Sequence, residues 1–270
     1  MNCKSLLTLT IAIFIFLTCQ SQYSQAYQAM GAGIGGIETK GQGFSSMAYN
    51  PAFIADAKNL VMVSNYENCY LSLVSSQSVS LAMPVLNLPI GASYLNYGIK
   101  NYQYQLFSFF SGKNLGEKLT LGIRMNYHQL TIPNYFTANA FTADLVVLIH
   151  AMDDIDLMLM TKNPNESMMN GERLPAAVKT SIRKLFANEL LVAIEAEQQS
   201  HQNTIIKGGL EKVVFNDVYL RCGFSAKPSR MSFGLGYQFK NAMLDIAFMS
   251  HPVLGYSPHA TLAYRITNRK

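Results

Sequence analysis

The chain of 270 residues has no tryptophan, only four cysteines, and few charges: Asp, Glu, Lys and Arg together make up 14% of it. Scarcity of charge excludes a disordered chain, which is charge-rich and poor in apolar residues. It also separates this chain from ordinary soluble domains, where about a quarter of residues are charged. Long hydrophobic runs are missing too. Past residue 20 nothing reaches the roughly 18 apolar residues that a membrane-crossing helix needs. Two of the cysteines, Cys3 and Cys19, fall in the leader described below. The remaining Cys69 and Cys222 are too few for a disulfide framework and lack metal-ligand spacing; they either pair or stand free in the wall.

What the chain does have is apolar surface, with 49% hydrophobic residues and a mean hydropathy of +0.11. A greasy, under-charged chain without transmembrane helices points to the other structure that crosses a bilayer with every backbone group satisfied, a closed β-barrel. The N-terminus sets the compartment. Lys4 precedes an apolar core from Leu6 to Leu17, and Ser24-Gln25-Ala26 supplies the small residues that signal peptidase prefers. Residues 1–26 therefore read as a cleavable signal peptide, and the chain as exported.

From residue 59 to residue 270 one pattern recurs, apolar residues alternating with small or polar ones between short Asn, Gly, Pro and Lys breaks. Period two sends successive side chains to opposite faces of a strand. Leu119, Leu121, Ile123, Met125 and Tyr127 share one face; Lys118, Thr120, Gly122, Arg124, Asn126 and His128 share the other. Met231 to Phe239 and Ala260 to Ile266 repeat the motif, and the stretches number about fourteen. Residues 174–198, rich in Ala, Leu, Lys and Glu, suit a helix by propensity. The run 145–149 is apolar on both faces. Both are read as strand, because a barrel wall tolerates no gap. The expected fold is all-β: a transmembrane antiparallel barrel of about 14 strands with short loops.

The ionisable residues collect on one face: Lys118, Arg124, Asp144, Asp156, Lys179, Arg183, Glu195, Glu197, Lys207, Arg221, Asp245 and Arg265. A lipid-facing Arg or Lys at mid-depth costs roughly 2–4 kcal/mol, so this face is the lumen. A soluble sandwich with the charged face outward is the competing reading; its strands would carry more charge than this. Seven basic and five acidic groups nearly cancel. Lys179 and Arg183 neighbour Glu195 and Glu197, which neighbour Lys207, and Asp245 lies one strand from Arg265, within cross-strand reach. The expectation is a braced, plugged lumen rather than a single-sign filter. Phe107 and Phe109 break the alternation after Gln103 and Gln105, and either line an inward path or mark a bulge that returns them to the lipid face. With no tryptophan, tyrosine must supply the interfacial girdle.

Residues 27–58 do not alternate. Gly31, Gly33, Gly35, Gly36, Gly41 and Gly43 precede Ser45-Ser46-Met47-Ala48-Tyr49 and Asn50-Pro51-Ala52. Ser45 could cap a helical turn that ends before Pro51. The glycines look like a dinucleotide fingerprint, but no strand precedes them and no βαβ unit follows. His128, His150, His201, His251 and His259 are scattered, without a nucleophile elbow or paired carboxylates, so no enzyme, metal site or cofactor is expected.

The GAGIGG…SSMAYNPAFIA stretch resembles the N-terminal signature of bacterial outer-membrane barrels of the PorV/PorQ and FadL-like superfamily. The closing run through HPVLGYSPHATLAYRI is similar to the last strands of its small Bacteroidota members. The resemblance implies a fourteen-stranded barrel in the outer membrane whose N-terminal segment folds inward as a hatch, with Gly31, Gly33, Gly35, Gly36, Asn50, Pro51 and Ala52 in it. It implies two roles. One is an accessory part in protein secretion of type IX kind or in outer-membrane assembly, with secretion-system proteins as partners. The alternative is a FadL-like passive transporter of hydrophobic small molecules such as long-chain fatty acids. Outer-membrane lipid is the expected surrounding, and nucleic acid is not an expected partner.

Overall fold

The computed structural model describes residues 28–69, 74–85, 88–200, 202–252 and 255–267; the expected signal peptide lies outside them. Fourteen antiparallel strands close into one barrel. They are β1 (Leu60–Cys69), β2 (Val74–Met83), β3 (Ile90–Ile99), β4 (Tyr102–Asn114), β5 (Leu119–Ile132), β6 (Phe136–Met152) and β7 (Ile155–Lys162), followed by β10 (Ala177–Phe186) to β16. The last six are β11 (Leu190–Gln199), β12 (Ile205–Val214), β13 (Val218–Ser225), β14 (Arg230–Phe239), β15 (Ala242–His251) and β16 (Gly255–Ile266). A hairpin of β8 (Met168–Met169) and β9 (Glu172–Arg173) lies in the loop between β7 and β10, which the alternation does not reveal. β1 pairs with β16 from Leu60↔Ile266 to Glu67↔His259, which closes the barrel and abolishes its edges. The rim where β1 starts and β16 ends is the near rim; the opposite one, bearing the β8–β9 loop, is the far rim.

The helix-prone stretch is strand, as expected. Lys179 and Ser181 are buried inside while Val178, Thr180 and Ile182 face out, so period two overrides helix propensity. Strand neighbours on both sides make this outcome obligatory: a helix there would leave the ladders of β7 and β12 unpaired.

The exterior is apolar. Ile123, Met125, Phe233, Leu235, Leu262 and Tyr264 are all exposed and stand on the same side as the other outward residues of their strands. Charges on this face are confined to the near ends of the strands, at Lys113, Lys184 and Lys212; the band between is the surface that hydrocarbon, not water, satisfies. No helix among the described residues is long and apolar enough to cross a membrane. The apolar band ends sharply on β3–β6. Tyr94, Phe107, Tyr127 and Phe141 are direct cross-strand partners, with ring centroids 4.8, 6.3 and 5.0 Å apart in turn. One step toward the far rim the outward positions become Asn96, Gln105, Gln129 and Asn139. Phenylalanine thus shares the girdle with tyrosine.

This row resolves the ambiguity at β4. Gln103, Gln105, Phe107 and Phe109 are all outward and the register with β3 and β5 is continuous, so there is neither an inward aromatic path nor a bulge. The glutamines sit beyond the band edge, where polarity is tolerated. A register shift does occur elsewhere, between His150 and Met152 at the near rim.

Residues 28–58 lie inside the barrel. A short helix α1 (Ala29–Gly33), set against β14 and β15 as far up as Ser232 and Met249, and two 3-10 turns toward the near rim, Ser45–Ala48 and Phe53–Asp56, fill much of it. The helix was not expected within so glycine-rich a run. Its Ala29 and Ala32 pack on Ala247 and Met249 of β15. Ser45 does not cap the first 3-10 turn; its hydroxyl donates instead to Asp245 Oδ2 across 3.1 Å.

Candidate functional site

The near half of the lumen is built around two pairs of wall glycines. Gly112 of β4 and Gly122 of β5 are cross-strand partners, and an added Cβ at either would overlap Pro51 of the inner segment. Gly209 of β12 and Gly223 of β13 are partners on the other side of the barrel, and a Cβ there would overlap Ile34 or Gly35. Gly35 and Gly36 have φ of +86° and +76°, which L side chains rarely adopt. Missing side chains on both surfaces let backbone meet backbone. Around these contacts Phe53 packs on Val146, Leu148, Met158 and Met160, and Met30, Ile34 and Ile37 pack on Leu191 and Ala193. Asn50 Oδ1 accepts from Ala52 N at 2.9 Å, which fixes the turn that carries Pro51.

Charged side chains of the wall then hold the inner segment. Lys207 donates to Gly36 O at 2.9 Å and to Glu195 and Glu197 at 2.7 and 2.6 Å. Glu38 sits between Lys162 and Lys179, at 3.1 and 2.9 Å. Burial disfavours its charge, but the two lysines outweigh that and hold the Glu38 carboxyl far below the usual carboxylate range. Its backbone N–H donates to Glu195 Oε2. Arg221 bridges Glu211 and Asp245 at 2.7 and 2.6 Å, while Glu211 also accepts from Gln42 N. Arg124 donates to Tyr49 O and lies over Phe110, and Arg265 lies over the ring of Phe44 at 4.8 Å. Near the rim Lys40 pairs with Asp56, whose pKa is lowered: burial opposes the shift, and Lys40 and Asn114 prevail.

Of the expected lumen residues, Arg124, Asp144, Lys179, Arg183, Glu195, Glu197, Lys207, Arg221, Asp245 and Arg265 face inward. They form no single network. Asp156 pairs with Arg183 and His150 near the rim. Asp245 pairs with Arg221 two strands away, rather than with Arg265 on the adjacent strand, because Arg265 stacks on Phe44. Lys118 is a correction: it lies exposed in the turn before β5, since the strand starts one residue later at Leu119. The wall glycines are what sequence reasoning missed. The inward face of β4, β5, β12, β13 and β14 carries Gly112, Gly122, Gly209, Gly223 and Gly234, a pattern visible in the alternation but read there only as small residues.

Above the inner segment the far half is a basin of about 320 Å³, floored by Gly35, Gly36, Ala48 and Tyr49. Its wall is polar. Ser108 Oγ donates to Asn126 Oδ1 at 2.7 Å, and Asn126 Nδ2 donates to Thr142 and Asp144, each at 3.1 Å. His128 bridges Tyr104 and Thr142 at 2.6 and 2.8 Å, and His259 stands 3.8 Å from Glu67. The histidines are thus structural partners at separate places, and His201 lies outside the described residues. Cys69 and Cys222 are free, on opposite faces of the wall. No group of three potential metal ligands occurs among the described residues.

Neither a protein-family model nor a curated protein matches this chain. Solved structures do. The toluene transporter TbuX of Ralstonia pickettii superposes with a TM-score of 0.65 at 11% identity, over 90% of this chain and 99% of its own. The toluene transporter TodX of Pseudomonas putida gives 0.60 at 12% identity, over 89% and 96%. A FadL homologue of Pseudomonas aeruginosa gives 0.60 at 11% identity, over 89% and 97%. At such identities the likeness establishes the fold alone, the closed antiparallel barrel that these proteins share.

Proposed function

We propose that this chain is an outer-membrane barrel that gives small hydrophobic molecules a passive route inward, with residues 28–58 acting as its hatch. The observation that supports this most is the division of one lumen: an open basin ends on a docked inner segment that fills the rest. A permanently open pore has no use for such a segment, and a purely structural barrel has none for the basin. The chemistry of similar barrels points the same way, since two of them are named as toluene transporters. The secretion role draws no comparable support.

Glycine contacts seat the hatch closely, while its polar fastenings come from side chains that can exchange partners: Lys207 on Gly36 O, Lys162 and Lys179 on Glu38, Arg124 on Tyr49 O. Passage then requires the hatch to yield. Two measurements test the reading. A strain lacking the gene takes up dilute toluene more slowly than the complemented strain; equal rates contradict transport. Purified protein in planar bilayers carries little steady current; a large open conductance contradicts a seated hatch.

A further inference from the structure

We propose that the basin's guest is a small uncharged molecule with an apolar body and hydroxyl groups, an alcohol or a phenol, which narrows the transport reading above and rests on it. The observation is a row of five inward polar residues, one on each of five consecutive strands: Ser80, Ser93, Ser108, Asn126 and Thr142. Each is the direct register partner of the next, and all five line the basin. Three of them are tied together by hydrogen bonds from Ser108 to Asn126 to Thr142. The other end of the row is open. Ser80 is 5% exposed and borders the basin, and neither its hydroxyl nor that of Ser93 has a hydrogen-bond partner among the described residues.

A hydroxyl both donates and accepts, so Ser80 and Ser93 together match a guest that does the same. A pure hydrocarbon seated against this row displaces water and leaves the groups unmet, which weakens its binding roughly tenfold. Apolar positions lie one step toward the far rim, where Leu95 and Leu106 are register partners. A sugar has no body to offer them; an alcohol or phenol does.

The charges argue for neutrality. Lys207 is answered by Glu195 and Glu197, Lys162 by Glu38, and Asp144 by Asn126 and the backbone of Asn163. At the lip Glu67 has His259 at 3.8 Å and feels the charge of Arg230. An ion entering the basin would meet both signs at once, most of them already paired; among the described residues only Arg124, held on Tyr49 O, and Arg230 at the lip line it without a carboxylate partner.

The test is calorimetric titration of the detergent-solubilised, full-length mature protein with three probes of one ring size: catechol, toluene and benzoate. Catechol is expected to bind saturably and roughly tenfold more tightly than toluene. The Ser80→Ala/Ser93→Ala double variant, checked for the heat-dependent mobility shift of a folded barrel, loses that preference while toluene affinity is unchanged. Toluene binding as tightly as catechol, benzoate binding more tightly than catechol, or absent catechol binding each overturns the hydroxyl preference. Transport is judged separately: unchanged uptake of both toluene and catechol in the null strain overturns it, whereas equal affinities for the two leave it standing.

Discussion

The two halves of the lumen use polar side chains for opposite ends. Where the hatch docks, charged groups are buried or nearly so and spent on it: Arg221 lies between Glu211 and Asp245, and Glu38 between two lysines. Along the basin the row from Ser80 to Thr142 is uncharged and borders open space. The difference follows from what each half must exclude. A docked segment leaves no room for water, so every charge there needs a protein partner. A basin that stays wet between guests can leave hydroxyls to solvent.

Mutations should separate the halves. The largest effect is expected from Arg221→Met, which leaves Glu211 and Asp245 buried without their counter-charge. A loss of about 3–5 kcal/mol is expected for breaking such a group, read as a lower midpoint of the heat-dependent mobility shift. Gly122→Val comes next. Its side chain overlaps Pro51, and overpacking of this kind costs about 1–3 kcal/mol. Because the strain falls on the hatch, protease cleavage within residues 40–58 should rise while the barrel stays closed. In the far half, Ser108→Ala removes one hydrogen bond to Asn126 and should cost about 1 kcal/mol or less, without exposing the hatch.

The smallest effect is a pH dependence. The folded pKa of Asp56 is depressed, so its pairing with Lys40 stabilises the hatch above the unfolded carboxylate value and is lost as pH falls through the lower folded one. Hatch proteolysis should therefore be flat from neutral pH to about pH 5 and rise only below about pH 4. Asp56→Asn should abolish that rise.

The strands and their two faces were legible because period two is a property of the chain itself: Met231 to Phe239 reads as a half-buried strand wherever it is met. Hatch docking was only partly legible. The Gly31–Gly36 run marked a segment of unusual backbone, yet its receptors, Gly112 with Gly122 and Gly209 with Gly223, are cross-strand neighbours that only registration brings together. The same holds for the hydroxyl row, whose five members come from strands spread between residues 80 and 142. Strand adjacency predicted the pairing of Lys207 with Glu195 and Glu197 and of Lys179 with Glu197, but not the partner of Asp245. Arg221 reaches Asp245 across the narrow glycine-lined β14, where Gly236 offers no side chain in the way, and Arg265 turns to the hatch instead.

The division of the lumen can be measured most directly by thiol accessibility in a Cys69→Ser/Cys222→Ser background. A water-soluble maleimide is expected to label Ser93→Cys, which borders the basin, within minutes, and to leave Ser45→Cys, buried within the hatch, unlabelled until the barrel is unfolded. Equal labelling of the two positions in the folded protein would contradict a seated hatch and a wet basin alike.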